Sequence, residues 1–227
     1  MISVIVPVFN GEKYIEEALQ NIENQGSIDF EIIVVDDGST DSTAKIVETW
    51  PKPVQYIYQY NQGPAQARNV GIKAAKGDFI AFLDADDTWP LEKITTQITL
   101  LNQYPTIELV WGKTKYFFEN EMLRTKYEGH KMGIEPIFNV FLGAAMFRKN
   151  TFDKVGLFDT SLRFGEDIDW YNRASELKIS ILKSHDVGLF YRVHNHNVTH
   201  DIVALNQGTI QLLKKKLDRN RQVNFHE

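Results

Sequence analysis

Three carboxylates stand directly after one short apolar run of the sequence. Residues 79–83 are all apolar, and Asp84, Asp86 and Asp87 follow within four positions. Such a run predicts a strand that is buried on both faces, and ligands bind at the carboxyl ends of strands in open α/β sheets. Clustered carboxylates repel one another unless a cation or a polar ligand offsets their charge. The pattern therefore predicts a site for a divalent metal or a sugar nucleotide.

Asp84 and Asp86 form an Asp-x-Asp pair, a common pattern that gains meaning from its place after the strand. Mg²⁺ and Mn²⁺ prefer oxygen ligands and keep coordination positions open for phosphate oxygens. A cation at this position would offset the charge of a leaving diphosphate. The alternative is a solvated turn before Pro90.

The elements that position these residues follow from the alternation of apolar runs and amphipathic stretches, which predicts βαβ units and a largely parallel sheet. The predicted strands of the first half are residues 2–6, 31–35, 54–58 and 79–83. The predicted helices between and after them are residues 12–24, 42–49, 64–76 and 90–102.

In a parallel sheet, the loops that follow the first, second and fourth strands lie side by side. A planar base could pack against Phe9 while Asp36 or Asp37 accepts its ring N–H. The alternative is that residues 36–39 form a turn that caps the next helix, since Asp, Gly and Ser favour turns.

The second half of the chain is less regular. Its predicted strands are residues 109–119, 144–148, 179–183 and 189–194, and its predicted helices are residues 150–155, 168–177 and 201–217. Residues 120–132 are predicted to form a charged hairpin or loop. Because no linker is evident, we expect one domain over residues 1–227, with a regular half of about 1–103 and a less regular half of about 104–227.

Composition excludes several classes of protein. The net charge is −5 and the pI about 5.7, which argues against a nucleic-acid binder. The absence of Cys excludes disulfides and thiolate chemistry. No run approaches the roughly 20 apolar residues of a transmembrane helix, and residues 2–8 lack the basic flank of a signal peptide. We expect a cytoplasmic protein.

Four segments together resemble family 2 glycosyltransferases. They are residues 3–10 (SVIVPVFN), 34–41 (VVDDGSTD), 67–71 (ARN-x-G) and 77–86 (GDFIAFLDAD), in the family's order and spacing. The resemblance covers the first hundred residues. It implies a GT-A fold (α/β), a nucleotide-diphosphate sugar donor, most simply a UDP-sugar, a hydroxyl acceptor, Mn²⁺ or Mg²⁺, and inversion at the anomeric carbon.

The resemblance also implies roles for single residues. Phe9 would pack on the base, Asp37 would read its edge, Asp84 would meet the ribose and Asp86 would hold the metal. Arg68 would lie near the base or the phosphates; the alternative is a surface residue on the third helix. The implied nucleotide-sugar site comprises Pro7, Val8, Phe9, Glu12, Asp37, Asn61, Arg68, Asp84 and Ala85.

An acidic pair, Glu166 and Asp167, opens a predicted helix after the segment 155–159 (VGLFD), which again resembles the family. By that resemblance Asp167 is the base that removes the acceptor proton, and Glu166 positions the acceptor or the base. One carboxylate base suffices for a single in-line displacement. The alternative is that Asp167 only stabilises the helix start. Asp169 points elsewhere on the helix and is expected to have a structural role. Trp170 lies on the same face as Asp167 and is expected in the core; the alternative is that it stacks on an acceptor sugar.

Three histidines, His194, His196 and His200, lie within seven residues and raise the possibility of zinc, but no Cys, Asp or Glu completes a site in that run. By resemblance, a His after a Tyr-Arg pair meets the metal or the diphosphate, which points to His194. His196 and His200 are expected on the surface.

Two other functions compete with glycosyl transfer. A nucleotidyltransferase usually carries a Gly-rich basic loop after its first strand, whereas residues 9–12 here are Phe-Asn-Gly-Glu. A non-catalytic sugar-nucleotide-binding module is the other alternative. The acceptor, a carbohydrate or a lipid-linked sugar, should be selected by residues 111–141. The basic end, with Lys214, Lys215, Lys216, Arg219 and Arg221, favours the helix dipole or a weak contact with the inner membrane face.

Overall fold

The computed structural model describes residues 1–26, 28–127, 135–195, 197 and 202–224. Its strands are β1 Ile2–Val8, β2 Phe30–Asp36, β3 Gln55–Tyr58, β4 Phe79–Phe82, β5 Leu109–Phe118, β6 Ala145–Arg148 and β7 Ile181–Val193. Its helices are α1 Ile15–Glu23, α2 Thr43–Glu48, α3 Pro64–Ala74, α4 Lys93–Gln103, α5 Glu121–Tyr127, α6 Thr151–Val155, α7 Glu166–Glu176 and α8 Ile202–Asn224, with a short 3₁₀ turn at Leu142–Ala144.

Seven strands of the described residues form one sheet, in the order β3-β2-β1-β4-β6-β5-β7. Strands β1 to β4 are parallel to one another, β6 is antiparallel to both its neighbours, and β5 pairs with β7 in parallel. The mixed, mostly parallel α/β sheet predicted from the sequence is confirmed. The carboxyl ends of β1, β2 and β4 lie at one edge, where the predicted site residues follow.

Helix α3 packs unusually close to the central strand β1. A Cβ added to Gly71 would lie only 2.4 Å from Cγ2 of Ile5, a stiff β-branched side chain. The glycine therefore permits the close approach, and it fixes the height of α3 over the sheet. Arg68 and Asn69 are on the same helix, so this contact sets their distance from the strand ends.

An aromatic cluster joins α7 to the sheet. Its ring centroids lie between 5.2 and 6.2 Å apart, and Phe82 meets its neighbours, as Phe147 meets Trp170, in edge-to-face geometry, which aromatic pairs prefer. Trp170 is fully buried, as expected, and its Nε1 donates to the carbonyl of Gly156 at 2.9 Å. The members of the cluster are Phe82, Phe147, Phe152, Phe158 and Trp170.

Strand β7 corrects one prediction. Residues 179–183 and 189–194 were expected as two strands, but residues 181–193 form one strand beside β5. Three residues, 184–186, oppose the single Gly112 at a register shift, so the polar stretch that suggested a break lies in a bulge. A Cβ on Gly112 would be 2.8 Å from Cα of Gly188, so the bulge depends on these two glycines.

The predicted hairpin or loop at residues 120–132 is also wrong in its first part, because residues 121–127 form α5. The Asn120 side chain accepts the N–H of Leu123 at 3.0 Å, which satisfies a free donor of the first turn. Residues 128–132 lie outside the described part of the chain. In that described part, no helix is both long enough and apolar enough to cross a membrane.

Candidate active site

A buried arginine connects the predicted nucleotide-sugar site to the predicted catalytic pair. Arg68 on α3 donates from Nη2 to Oδ1 of Asp84 at 2.7 Å and from Nη1 to Oε1 of Glu166 at 2.5 Å. Its exposed fraction is only 7%, so the surface alternative for Arg68 is wrong. Burial alone would lower the pKa of Arg68, but the charges of Asp84 and Glu166 raise it above its ordinary value. The guanidinium is therefore a permanent positive charge between the carboxylates.

The residue after Arg68 ties α3 to the chain that leads into α7. Asn69 donates from Nδ2 to the carbonyl of Phe158 at 2.8 Å, and its Oδ1 accepts the N–H of Phe158 at 2.9 Å. Both bonds are buried, where leaving either group unpaired would be costly. This reciprocal pair holds the segment before α7 against α3, so that Glu166 arrives opposite Arg68.

Asp167 lies half-buried in the first turn of α7, beside Glu166. Burial raises the pKa of Asp167 to about 7, the charge of Glu166 adds to the rise, and the charge of Arg68 opposes it. The helix N-cap is Gly165, in a left-handed conformation (φ 76°), so Asp167 is not the N-cap residue. A carboxylate with a pKa near neutrality is suited to general base catalysis.

Asp169, two residues after Asp167, has a structural role. It is buried and pairs with Arg173 and with Arg219 of α8, both at 2.8 Å. Its charge therefore orients α7 and α8 relative to each other. The sequence placed Asp169 away from the chemistry, and the contacts agree.

The other end of the Asp-x-Asp loop meets the end of β7. Oδ2 of Asp86 lies 3.0 Å from Nε2 of His194, which is buried. Arg192 donates from Nε to the carbonyl of Asp86 at 2.8 Å, and its backbone N–H donates to Oδ1 of Asp87 at 2.9 Å. The structure thus places His194 beside Asp86, so the two residues expected at the metal lie next to each other.

Asp87 does not form the solvated turn that was the alternative for this loop. It is buried, and burial raises the pKa of Asp87 well above its ordinary value, with contributions from the charges of Asp86 and Asp84. Its acceptance of the Arg192 N–H holds β7 against the loop. The Asp87 carboxylate therefore helps to fix the positions of Asp86 and His194 relative to each other.

Arg192 is a residue that sequence reasoning did not assign. Its guanidinium lies over the rings of Tyr14 and Phe117, at 5.1 and 4.6 Å from their centroids, and pairs with Glu17 at 2.7 Å. The Tyr14 ring also contacts the His194 ring, with centroids 5.1 Å apart. The only signal in the sequence was the Tyr-Arg pair before His194, which does not reveal these distant partners.

Asp86 and His194 are the residues that could hold a divalent metal. The carboxylate oxygen is the type of ligand that Mn²⁺ and Mg²⁺ prefer, and both ions keep positions open for phosphate oxygens. The imidazole nitrogen, 3.0 Å from that oxygen, is a second donor. No group of three or more His, Asp or Glu side chains that could hold a metal occurs among the described residues. His196 and His200 lie outside those residues, so the zinc alternative that involves them is not addressed.

The two aspartates after β2 are both engaged by the protein. Asp36 is fully buried and accepts the N–H of Ser39 and the hydroxyl of Tyr56, each at 2.7 Å. Asp37 accepts Gln59 Nε2 at 2.6 Å, Gln62 N at 2.8 Å and, on its other oxygen, Gly63 N at 2.8 Å. Asp37 thereby orders the loop before α3, and Oδ2 keeps a second lone pair for a ligand.

The remaining predicted residues divide into buried and exposed ones. Pro7, Val8 and Ala85 are buried, whereas Phe9 is 53% exposed and Asn61 is exposed at the same edge. The carboxylate of Glu12 accepts the N–H of Ser42 at 2.9 Å at the start of α2. Two exposed rings that sequence reasoning missed, Tyr58 and Tyr60, lie next to this edge at the end of β3.

Comparison with known proteins places the chain among glycosyltransferases. Residues 3–163 match the model of the family described as Glycosyl transferase family 2. An uncharacterized glycosyltransferase of Rickettsia typhi is 33% identical over 221 residues, which cover 91% of this chain and 68% of that protein. The minor teichoic acid biosynthesis protein GgaA of Bacillus subtilis is 28% identical over 76% of this chain and 43% of its own length.

Solved structures share the fold. S. aureus TarS 1–349 in complex with UDP is 27% identical, with a TM-score of 0.68 over 85% of this chain and 60% of that chain. The mannosyltransferase PcManGT from Pyrobaculum calidifontis, in complex with GDP-Man and Mn²⁺, has a TM-score of 0.73 over 96% of this chain and 64% of its own. It is 22% identical, so that likeness concerns the fold alone.

The buried arginine generates a prediction about stability. Arg68→Met leaves Glu166, Asp84 and Asp167 without their cation, and we expect the free energy of unfolding to fall by about 3–5 kcal/mol near neutral pH. The deficit should shrink as the pH falls, because protonation removes the unpaired charges. Urea denaturation of the two proteins measures the difference.

The matched control is the double variant Arg68→Met/Glu166→Gln, which removes the buried carboxylate as well and should cost less than the single substitution. A loss below about 1 kcal/mol for Arg68→Met, the value of an exposed pair, would contradict a buried ion-pair chain.

Proposed function

The chain belongs to glycosyl transferase family 2 and has the GT-A fold, and we propose that it transfers a sugar from a nucleotide-diphosphate sugar to an acceptor hydroxyl. The observation that carries the proposal is the ion-pair chain through Arg68, which holds Asp84 of the donor side and Glu166 of the acceptor side in one site. The chain spans 60% of the TarS segment it matches, so its substrates are proposed and not inherited.

For the donor we propose a UDP-sugar of the hexose or N-acetylhexosamine type. TarS structures carry UDP and UDP-GlcNAc, at 27% and 25% identity to this chain. In this chain the exposed ring of Phe9 offers a face for the base, Asp37 offers an acceptor for its N–H, and Asp84 lies at the strand end where a ribose would sit. The sequence predicts each of these contacts, and the positions of the three residues are compatible with them.

For the base we propose Asp167. Its pKa of about 7 means that the carboxylate is available at neutral pH and still basic enough to take a proton from an acceptor hydroxyl. Glu166 and Arg68 would set both its position and its basicity, because their charges act on it in opposite directions. One base on the acceptor side suffices for an in-line displacement, which inverts the anomeric centre.

For the metal site we propose Asp86 and His194, with Mn²⁺ or Mg²⁺ as the ion. A divalent ion held there would offset the negative charge of the leaving diphosphate. The protein's own part is to fix the two ligands, through the bonds of Arg192 to the Asp86 carbonyl and to the Asp87 carboxylate. Residues that orient metal ligands in this way affect metal affinity.

The loop after β1 argues against a nucleotidyltransferase. A triphosphate grip needs free backbone N–H groups, but here the N–H groups of Asn10, Gly11 and Glu12 donate to Ser39 Oγ, Thr43 Oγ1 and Asp41 Oδ2, at 2.8 to 3.0 Å. A sugar-nucleotide-binding module without catalysis would need no carboxylate with a pKa near 7 at the acceptor side. Both alternatives are therefore less well supported than transfer.

For the acceptor we propose a carbohydrate, either a growing surface polymer or a lipid-linked sugar. The printed name of the B. subtilis relative GgaA, a minor teichoic acid biosynthesis protein, is in keeping with a polymer acceptor. The second half of the chain contributes the exposed Phe138, and the neighbouring Asn139 donates to the hydroxyl of the buried Tyr116, whose pKa burial raises to about 12. These residues belong to the segment that we expect to select the acceptor.

The assignment of the base predicts a dependence on pH. Since the deprotonated form is active, release of UDP from UDP-N-acetylglucosamine in the presence of acceptor should fall as the pH drops below about 7 and level off above it. Asp167→Asn should slow turnover by about 10²- to 10⁴-fold with donor affinity unchanged. Initial rates between about pH 5.5 and 8.5 measure both effects.

Glu166→Gln is the control for this assignment. It removes a negative charge that raises the pKa of Asp167, so the midpoint of the pH profile should move to lower pH. A flat profile for the unaltered protein, or full activity of Asp167→Asn, would mean that another group is the base.

The metal assignment predicts a linked binding effect. Mn²⁺ should tighten the binding of UDP in titration calorimetry, and Asp86→Asn or His194→Gln should reduce that gain by about tenfold or more. The affinity for UDP without metal should change little, because neither residue is expected to contact the uracil base or the ribose. Glu17→Gln, which only removes the exposed partner of Arg192, is the control. A gain that survives Asp86→Asn would place the metal elsewhere.

A further inference from the structure

The outer face of α8 carries an exposed apolar stripe. Ile210, Leu213 and Leu217 are 67%, 58% and 56% exposed. Their spacing of three and four residues puts them next to one another on one side of the helix. Single exposed apolar residues are ordinary, but a row of them along one helix face is typical of a contact surface.

The opposite face of α8 is firmly seated on the protein. Lys215 pairs with Asp159 at 2.5 Å, and Arg219 pairs with Asp169 at 2.8 Å. Leu212 contacts Gly165 so closely that a Cβ there would lie 2.6 Å from its Cδ1. The helix is therefore held in one rotation, and in that rotation the apolar stripe points away from the body of the protein.

Basic side chains flank the stripe on both sides. Lys214 and Lys216 are exposed, and neither forms an ion pair within the described residues. Arg221 is exposed too, with a distant contact to Asp218 at 3.9 Å. The basic residues of this helix thus divide into two sets: Lys215 and Arg219 neutralise the protein's own carboxylates, whereas the outer ones keep their charge for a partner.

We propose that this face of α8, with Ile210, Leu213 and Leu217 between Lys214 and Lys216, docks on an anionic lipid surface. An apolar stripe with basic flanks is the arrangement of helices that lie in the membrane interface, where the leucines enter the acyl boundary and the lysines meet the headgroups. The net charge of the whole chain is −5, so the attraction is local to this face.

Charge complementarity favours lipid over a second copy of the chain. In a symmetric pairing through the stripe, the basic flanks of the two copies would face each other and repel. A negatively charged bilayer meets the same flanks with the opposite sign. An acidic protein partner would be attracted as well, and failure of the unaltered protein to bind anionic vesicles would favour such a partner over lipid.

The docking face lies one helix away from the proposed base. Gly165, which α8 contacts through Leu212, directly precedes Glu166 and Asp167. The diameter of a helix is about 10 Å, so a docked α8 would hold the acceptor side close to the lipid headgroups. This consequence, a lipid-linked acceptor, rests on the proposed function; lipid docking itself does not.

The test is flotation of the purified chain with lipid vesicles. The unaltered protein should bind vesicles that contain phosphatidylglycerol and should not bind vesicles of phosphatidylcholine alone, and added salt should weaken the binding. Leu213→Glu/Leu217→Glu should reduce binding by about tenfold or more, because it puts charge into the apolar stripe. Met122→Glu, which changes an even more exposed apolar side chain on α5, should leave vesicle binding unchanged.

UDP affinity and light scattering complete the test. The double variant should bind UDP with the same affinity as the unaltered protein. If neither protein binds UDP, the proposed function is contradicted, but lipid docking is not. The proposal is overturned if the unaltered protein does not bind anionic vesicles or if the double variant still binds them. It is also overturned if light scattering shows that the unaltered protein is a dimer and that the double variant is a monomer, because the stripe would then join two copies.

Discussion

The site depends on one buried guanidinium. Arg68 can be taken out of water only if carboxylates meet it on both sides, and Asp84 and Glu166 do so from opposite halves of the chain. This requirement links the height of α3 over β1, which Gly71 permits, to the start of α7. Replacing a buried ion pair by apolar residues is often neutral, but removal of one partner is strongly destabilising. The ion-pair chain here holds Asp84 and Glu166 at fixed positions on either side of Arg68.

A second set of contacts closes the site from the far end of the sheet. The last residues of β7 complete a site that begins more than one hundred positions earlier, since Arg192 and Asp86 are 106 residues apart. Arg192 supports the loop through the Asp86 carbonyl, and His194 meets the Asp86 carboxylate. The proposed metal ligands thus depend on a strand at the edge of the sheet and not on a local motif. Asp87 is buried at the same place, where it accepts the N–H of Arg192.

Local patterns in the sequence predicted most of the fold. The strands of the first half are right to within two residues. Short apolar runs bounded by turn residues are typical of buried strands, and β1, β2 and β4 have that pattern. The errors have local causes too: the polar residues 184–186 lie in a bulge that two glycines permit, and Asn120 caps a helix where a hairpin was expected. The sequence predicted which residues belong to the candidate site but not which of them contact one another. Arg68 and Glu166 are 98 positions apart, and no spacing rule joins them.

Burial raises the pKa of Asp167 to about 7, and the opposing charges of Glu166 and Arg68 hold it near neutrality, as the proposed base requires. The most direct measurement is a ¹³C NMR titration of the Asp167 carboxyl group, with Asp167→Asn to identify its resonance. We predict a midpoint of about 7 in the ligand-free protein. A midpoint below about 5, near that of an ordinary aspartate, would contradict the account, since the carboxylate would then be too weak a base for the role proposed.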